Sequence, residues 1–254
     1  MKLTDNTIFV TGGGTGIGRA LAAEFHKRGN TVIIAGRRKD RLEQTVKEFP
    51  GMHYVVLDAE NPENIKSVAK QLIKDFPKLN VLINNAGIMQ LDDLSTEVNE
   101  KTLMSTITTN VLGPIRVTSA FVEHLKKQET AYILNVSSFL AFMPLAIAGI
   151  YCATKAAVHS YSLSLRYKLK NSSVRILEVI PPWVQTDMFN SNEEPRAMPL
   201  KPFIAQTMEA LSTDANEILV EVARPFRKNV GPEDELHVEK FNDIALSGGP
   251  VTAV

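Results

Sequence analysis

The chain has 254 residues, and 28 Lys+Arg balance 28 Asp+Glu, so its formal net charge is zero. That length suits one large α/β domain or two small ones, and the charge balance offers nothing to nucleic acid or an anionic membrane surface. Cys152 is the single cysteine, which excludes an intrachain disulfide and fits a reducing compartment. The histidines show no metal-ligand spacing, so no metal site is expected. Met1–Asn6 is polar and leads into an apolar run too short for a signal peptide or a membrane span. A soluble cytoplasmic protein with no membrane partner is the expectation.

Thr7–Val10 is a short apolar, β-branched run, the mark of a strand buried on both faces. Thr11-Gly12-Gly13-Gly14-Thr15-Gly16-Ile17-Gly18 follows, then a helical pattern ending near Gly29, then a second strand at Thr31–Ala35. Strand, glycine-rich turn, helix and strand make a βαβ unit. Such a turn brings backbone N–H groups and the positive end of a helix to a phosphate. A P-loop would close with Gly-Lys-Ser/Thr, whereas this turn closes with Gly18-Arg19-Ala20, which excludes a Walker-type nucleotide site. The glycine spacing is T-G-x-x-x-G-x-G, not G-x-G-x-x-G, and the bland alternative is a purely structural turn.

Ala35-Gly36-Arg37-Arg38 ends the second strand. An acid here would bond a ribose 2′-hydroxyl, and an arginine accommodates a 2′-phosphate. With no acid before Asp40, the reading is NADP(H) preferred over NAD(H), Arg37 the main contact and Arg38 a second. The alternative is that both arginines only solvate a helix start. His53–Asp58 is a third strand. Asn61-Pro62-Glu63 starts a helix by cap and proline signals. Leu79–Ile83 is the fourth strand, and Asn84, Asn85 and Gly87 suit a tight turn with close backbone approach.

Glu100–Lys127 reads as one helix, bent where Gly113-Pro114 interrupts its hydrogen bonding. Asn110 just before that bend either serves the active site or satisfies the freed backbone. Ala131–Val136 is the fifth strand, with Ser137-Ser138 at its carboxyl end, where open parallel sheets place ligands. The uncharged stretch Phe139–Ala148 reads as core and pocket wall in turn. The helix Gly149–Leu169 sets Tyr151 and Lys155 on one face. A nearby ammonium favours the phenolate, so the pair makes an acid/base unit for an alcohol proton. Val174–Ile180 is the sixth strand, 190–196 is polar and lid-like, and Pro202–Leu211 and Asn216–Val222 read as short helices.

Taken together these motifs resemble the short-chain dehydrogenase/reductase family. Thr11–Gly18, Asn84-Asn85-Ala86-Gly87, Asn110, Asn135-Val136-Ser137-Ser138, Tyr151-x-x-x-Lys155 and Pro181-Pro182-Trp183-Val184-Gln185-Thr186 stand in the family's order over about residues 5–190. Val136–Lys155 and Pro181–Asp187 also resemble a bacterial subgroup, the DltE-like oxidoreductases, linked by name to teichoic-acid D-alanylation.

The resemblance implies a doubly wound Rossmann α/β fold, mostly parallel, in strand order 3-2-1-4-5-6 with a weak or absent seventh strand. It implies reversible hydride transfer between nicotinamide and a carbonyl or alcohol substrate. Tyr151 would donate the proton, and Lys155 would lower its pKa and bond the nicotinamide ribose. Ser138 would fix the carbonyl oxygen, and Asn110 would hold a water of the proton relay. Gly12, Gly14, Thr15, Gly16, Ile17 and Gly18 would cradle the pyrophosphate. Asp58 would face the adenine; Asn85, Ala86 and Gly87 would line the ribose side. Pro181, Val184 and Thr186 would hold the carboxamide, although Pro182 replaces the family's glycine. The pocket candidates are Ser138, Phe139, Met143, Trp183 and Met188, with Leu145 and Phe189.

The expected layout is one domain over 1–228, with a substrate loop at about 186–200 and a polar tail, 229–254, open to disorder. A homodimer through the two long helices is expected. It would use the surplus apolar residues Leu112, Ile115, Val117, Ala120, Phe121, Leu125, Ala156, Val158, Leu163 and Leu165. The alternatives are an NAD(H)-dependent dehydrogenase, a nucleotide-sensing binding protein on the same fold, and an epimerase or dehydratase.

Overall fold

In the computed structural model, which describes residues 1–228 and 231–249, seven strands form one parallel sheet. They are β1 (Thr7–Thr11), β2 (Thr31–Gly36), β3 (His53–Val56), β4 (Leu79–Asn84), β5 (Ala131–Val136), β6 (Val174–Ile180) and β7 (Glu217–Leu219), in order 3-2-1-4-5-6-7. The helices are α1 (Gly16–Lys27), α2 (Lys39–Glu48), α3 (Pro62–Asp75), α4 (Glu100–Ile107), α5 (Gly113–Leu125), α6 (Gly149–Lys168), α7 (Leu200–Leu211), α8 (Arg224–Lys228) and α9 (Asp234–Leu246).

The apolar strands need cover on both faces, and the pleat divides their side chains accordingly. Ile8 and Val10 of β1 join a core with Leu21 and Phe25 of α1, while Phe9 between them faces Phe121 of α5. Asn61 caps α3 as its sequence suggests, its side chain accepting from the Glu63 and Asn64 N–H groups. No described helix is long and apolar enough to cross a membrane.

Four expectations need correction. The seventh strand is present: Glu217–Leu219, read as part of a short helix, pairs with β6, Glu178 opposite Glu217. Three residues carry no periodicity, so only the neighbouring strand reveals them. A helix, α2, stands where only a helix start was inferred after Arg38. The expected single helix over Glu100–Lys127 is α4 and α5 joined by a wider π turn, Thr108–Leu112, which absorbs the break set by Pro114.

The fourth concerns the polar tail. It holds an ordered helix, α9, whose Val238, Phe241 and Ala245 form one stripe against a small core with Phe139 and Phe226. Asn242 ties this helix to the body, donating to the Pro144 carbonyl at 3.0 Å and accepting from the Ala146 N–H. Of the tail, Asn229, Val230 and Pro250–Val254 lie outside the described residues.

One polar row crosses the sheet just below its carboxyl edge. Asn84, Asn135, Glu178 and Glu217 stand in register on β4, β5, β6 and β7. Asn84 donates to Asn135 and to Thr118 of α5, and Asn135 donates to Ser162 of α6, each at 2.9 Å.

Candidate active site

At the carboxyl edge the glycine turn leaves β1 and enters α1. Gly12 has φ +66°, and a Cβ there would meet Ala86 Cα at 2.9 Å, so the turn admits no side chain. The corner after β4 is pinned onto it: the N–H groups of Asn85 and Ala86 donate to Thr11 Oγ1 at 3.0 and 3.1 Å. Asn85 Nδ2 donates to the Thr11 carbonyl at 3.0 Å. Gly18 does not line the opening; its missing side chain lets α1 pack on the Gly12 carbonyl.

This turn opens into a groove of about 470 Å³. Gly12, Gly14, Thr15, Gly16 and Ile17 form its floor, and Asn85, Ala86 and Gly87 one wall. Arg37 and Arg38 stand at one end beside Asp58 and Glu60, and Tyr151, Lys155 and Thr186 at the other. Arg38 donates to Thr15 Oγ1 at 3.1 Å, and Arg37 pairs with Glu60 at 2.9 Å. Glu60, which the sequence reading missed, also accepts from Thr109 at 2.9 Å. Asp58 lines the groove and turns its own chain, accepting from the Glu60 N–H at 3.0 Å. Helix-start N–H groups, a glycine-rich floor and two guanidiniums at one end fit a dinucleotide.

A second cavity, about 300 Å³, adjoins the groove, and Ile17, Ser137, Tyr151, Thr186 and Met188 line both. Its walls are apolar: Phe139, Leu145, Trp183, Phe189, and Phe241 and Leu246 of α9. Arg196 is the one charged side chain among its described lining. It forks onto Glu194 at 2.8 and 3.0 Å, and its guanidinium lies 5.0 Å from the Trp183 ring centroid. Nothing in the sequence tied Arg196, Phe241 or Leu246 to this pocket, because they come from separate segments. Pro181 and Val184, expected at the carboxamide, line this cavity rather than the groove. Met143, expected in the pocket wall, is instead buried in the core with Phe139, Cys152 and Phe226.

Tyr151, Ser138 and Lys155 are all buried where the two cavities meet. The Ser138 hydroxyl accepts from the Leu140 N–H at 3.2 Å. Burial raises the Tyr151 pKa, the neighbouring Cys152 adds to the rise, and the nearby Ser138 hydroxyl opposes it. Lys155 is not among the groups that act on the phenol in this arrangement. Its ammonium is 5.5 Å from the phenol ring centroid and donates instead to the Val136 carbonyl at 2.9 Å. Burial brings Lys155 itself down to about 8, with Glu178 opposing.

Asn110, in the π turn, lines neither cavity. It accepts from the Ile88 N–H at 2.9 Å and donates to the Ile88 carbonyl at 2.8 Å and to Thr154 Oγ1 at 3.1 Å. Behind the site His159, Glu178 and Glu217 bring three ligand-type atoms within 4.8 Å, a cluster invisible in the spacing. These groups are already engaged: Glu178 with Ser137 and His159, Glu217 with Arg227.

The comparisons agree with this geometry. The short chain dehydrogenase family model matches residues 6–197. A Bacillus subtilis relative, named uncharacterized oxidoreductase DltE, is 34% identical over 95% of this chain and 98% of its own. A Schizosaccharomyces pombe NADP-dependent 3-hydroxy acid dehydrogenase is 33% identical over 73% of this chain and 74% of its own. A short chain dehydrogenase from Burkholderia cenocepacia J2315, solved in complex with NADP, superposes with a TM-score of 0.83 at 25% identity, covering 94% of this chain and 98% of its own. With its sheet order, its glycine turn and its Tyr151–Lys155 face accounted for, the chain belongs to the short-chain dehydrogenase/reductase family and is an NAD(P)-dependent oxidoreductase.

Proposed function

We propose that the protein reduces an uncharged, apolar carbonyl compound and oxidises the matching alcohol, with NADP(H) preferred over NAD(H). The observation that carries this reading is that Tyr151 lines both cavities, one suited to a dinucleotide and the other apolar. Gly12 to Ile17 would hold the pyrophosphate, Arg37 and Arg38 the 2′-phosphate, and Lys155 the nicotinamide ribose. The chemistry such a cofactor supplies is hydride transfer. Tyr151 gives its phenolic proton to the carbonyl oxygen as negative charge develops there, and Ser138 donates a hydrogen bond to the same oxygen. Asn110 steadies Ile88 and Thr154 beside this pair and, in this reading, holds the water of the proton relay.

The arginine pair, the NADP-dependent relative and the NADP complex support NADP(H). A second reading, use of NAD(H) as well, is favoured by the pairing of Arg37 with Glu60, which a 2′-phosphate must compete against. The substrate is read as uncharged because Arg196 is committed to Glu194. A carboxylate substrate, as the name of the fission-yeast relative implies for that protein, would have to displace Glu194. A screen of NADPH oxidation over aldehydes, ketones and quinones, each beside a carboxylate-bearing counterpart, should give turnover on the uncharged series. Turnover confined to oxo acids would sink the substrate reading.

We read the assembly as a homodimer in a cytoplasmic setting. Val117, Phe121, Leu125 and Val158, counted toward the interface from sequence, fill the protein's own core. Ala153, Ala156, Ser160, Leu163 and Tyr167 remain exposed along one face of α6, and closed two-fold pairing would cover them. Light scattering should give twice the chain mass, falling to one on Leu163→Arg. A tetramer untouched by that change would count against it.

A further inference from the structure

Beneath the catalytic residues lies a carboxylate that the mechanism above does not use. Glu178 is 0% exposed. It accepts from Ser137 Oγ at 2.6 Å and pairs with His159 Nδ1 at 2.8 Å. His159 stands four residues after Lys155, one turn along the same face of α6. The carbonyl that receives the Lys155 ammonium and the hydroxyl that donates to Glu178 belong to neighbouring residues, Val136 and Ser137. Ammonium and carboxylate therefore approach the same end of β5, and both are buried.

A lone ammonium in a protein interior tends to shed its proton, because burial penalises the charged form. The groups that surround this pair leave one partner for it. From α6 come Tyr151, Cys152 and His159; Asp92 is spent on the Gly149 and Ile150 N–H groups at the start of that helix. From β7 comes Glu217, held by the Arg227 fork at 2.9 and 3.1 Å, and that guanidinium lies over Phe142. Among the described residues Glu178 is the charge that opposes the effect of burial on Lys155, acting without a direct ion pair.

We propose that Glu178 is the internal counter-charge of Lys155, a positioning residue that keeps the ammonium protonated at neutral pH and so keeps the Tyr151–Lys155 pair in working form. This rests on the acid/base reading of Tyr151 given above. The direction agrees with the electrostatics, since burial takes Lys155 down to about 8 while Glu178 holds it up. With that charge removed, the ammonium would lose its proton at a lower pH. A fully buried carboxylate is costly to keep, and a charged partner that the reaction needs is a reason for it to be there.

A double-mutant cycle of Glu178→Gln and Lys155→Met, read by denaturant unfolding of the full chain at pH 7, tests the pairing without any assay of activity. The folding equilibrium should show a coupling of about tenfold or more, and additive losses would overturn the proposal. Should Glu178→Gln fail to fold, Glu178→Asp takes its place in the cycle, and additivity there overturns it equally. The pH profile of turnover separates charge from hydrogen bonding. Glu178→Gln should bring the alkaline limb down by about one pH unit or more. Ser137→Ala and His159→Gln, which remove hydrogen bonds and keep the carboxylate charge, should leave that limb in place. A limb that stays put in Glu178→Gln, or moves as far in Ser137→Ala, overturns the counter-charge. A wild type inactive on every carbonyl compound would sink the Tyr151 reading instead, and the unfolding cycle would still report on the pair.

Discussion

The groove and the apolar cavity share Tyr151 but are built by different means. The groove is organised around backbone: a glycine turn where no Cβ fits at Gly12, a corner of N–H groups tied to Thr11, and charges at its ends. The cavity is made of side chains from five separate segments, after β1, after β4, after β5, around Trp183 and on α9. A backbone-built site tolerates little change and suits one invariant ligand. A side-chain-built site can be altered one residue at a time without touching that ligand. Cofactor and substrate recognition should therefore be separable by mutation.

The largest expected effect lies where the two regions meet. Tyr151→Phe should cost about 10²–10⁴-fold in turnover by removing the acid/base hydroxyl, while NADPH titration gives a dissociation constant near wild type. Activity within a factor of about ten of wild type would remove Tyr151 from the mechanism. Next comes the groove alone. Arg37→Ala should weaken NADPH about tenfold and leave NADH nearly unchanged, compared by fluorescence titration of both cofactors. Equal losses would mean that Arg37 does not read the 2′-phosphate. The smallest effect belongs to the cavity. Leu246→Ala trims an exposed wall residue and should raise KM for an apolar substrate about threefold, in line with the loss of roughly one or two methylenes, with the NADPH constant unmoved. A change in cofactor binding there would break the separation of the two regions.

The same contrast explains what could be read in advance. Thr11–Gly18, Asn85 to Gly87 and Tyr151 with Lys155 are short-range patterns, each forced by a local backbone or helical requirement. The strand order came with the family resemblance those patterns carry, and the sheet bears it out from β3 to β6. Long-range partners were not legible. Glu60 meets Arg37 only because β2 and β3 are neighbours, and Glu178 meets His159 only across the space between β6 and α6. β7 was lost for want of length. The helix α9 was passed over as polar, although Val238, Phe241 and Ala245 already stand at helical spacing. Met143 shows the opposite error: an apolar residue inside a pocket-forming stretch can still turn inward.

The position of α9 in the chain also bears on how the protein is made. Synthesis runs from the amino terminus, and domains begin to fold as the chain emerges. Every wall of the groove lies between Thr11 and Met188, whereas Phe241, Ala245 and Leu246 follow α7, β7 and α8. Every residue that lines the groove is thus synthesised before the closing wall of the substrate cavity. A chain cut short before α9 would keep every groove-lining residue and lose one wall of the substrate cavity.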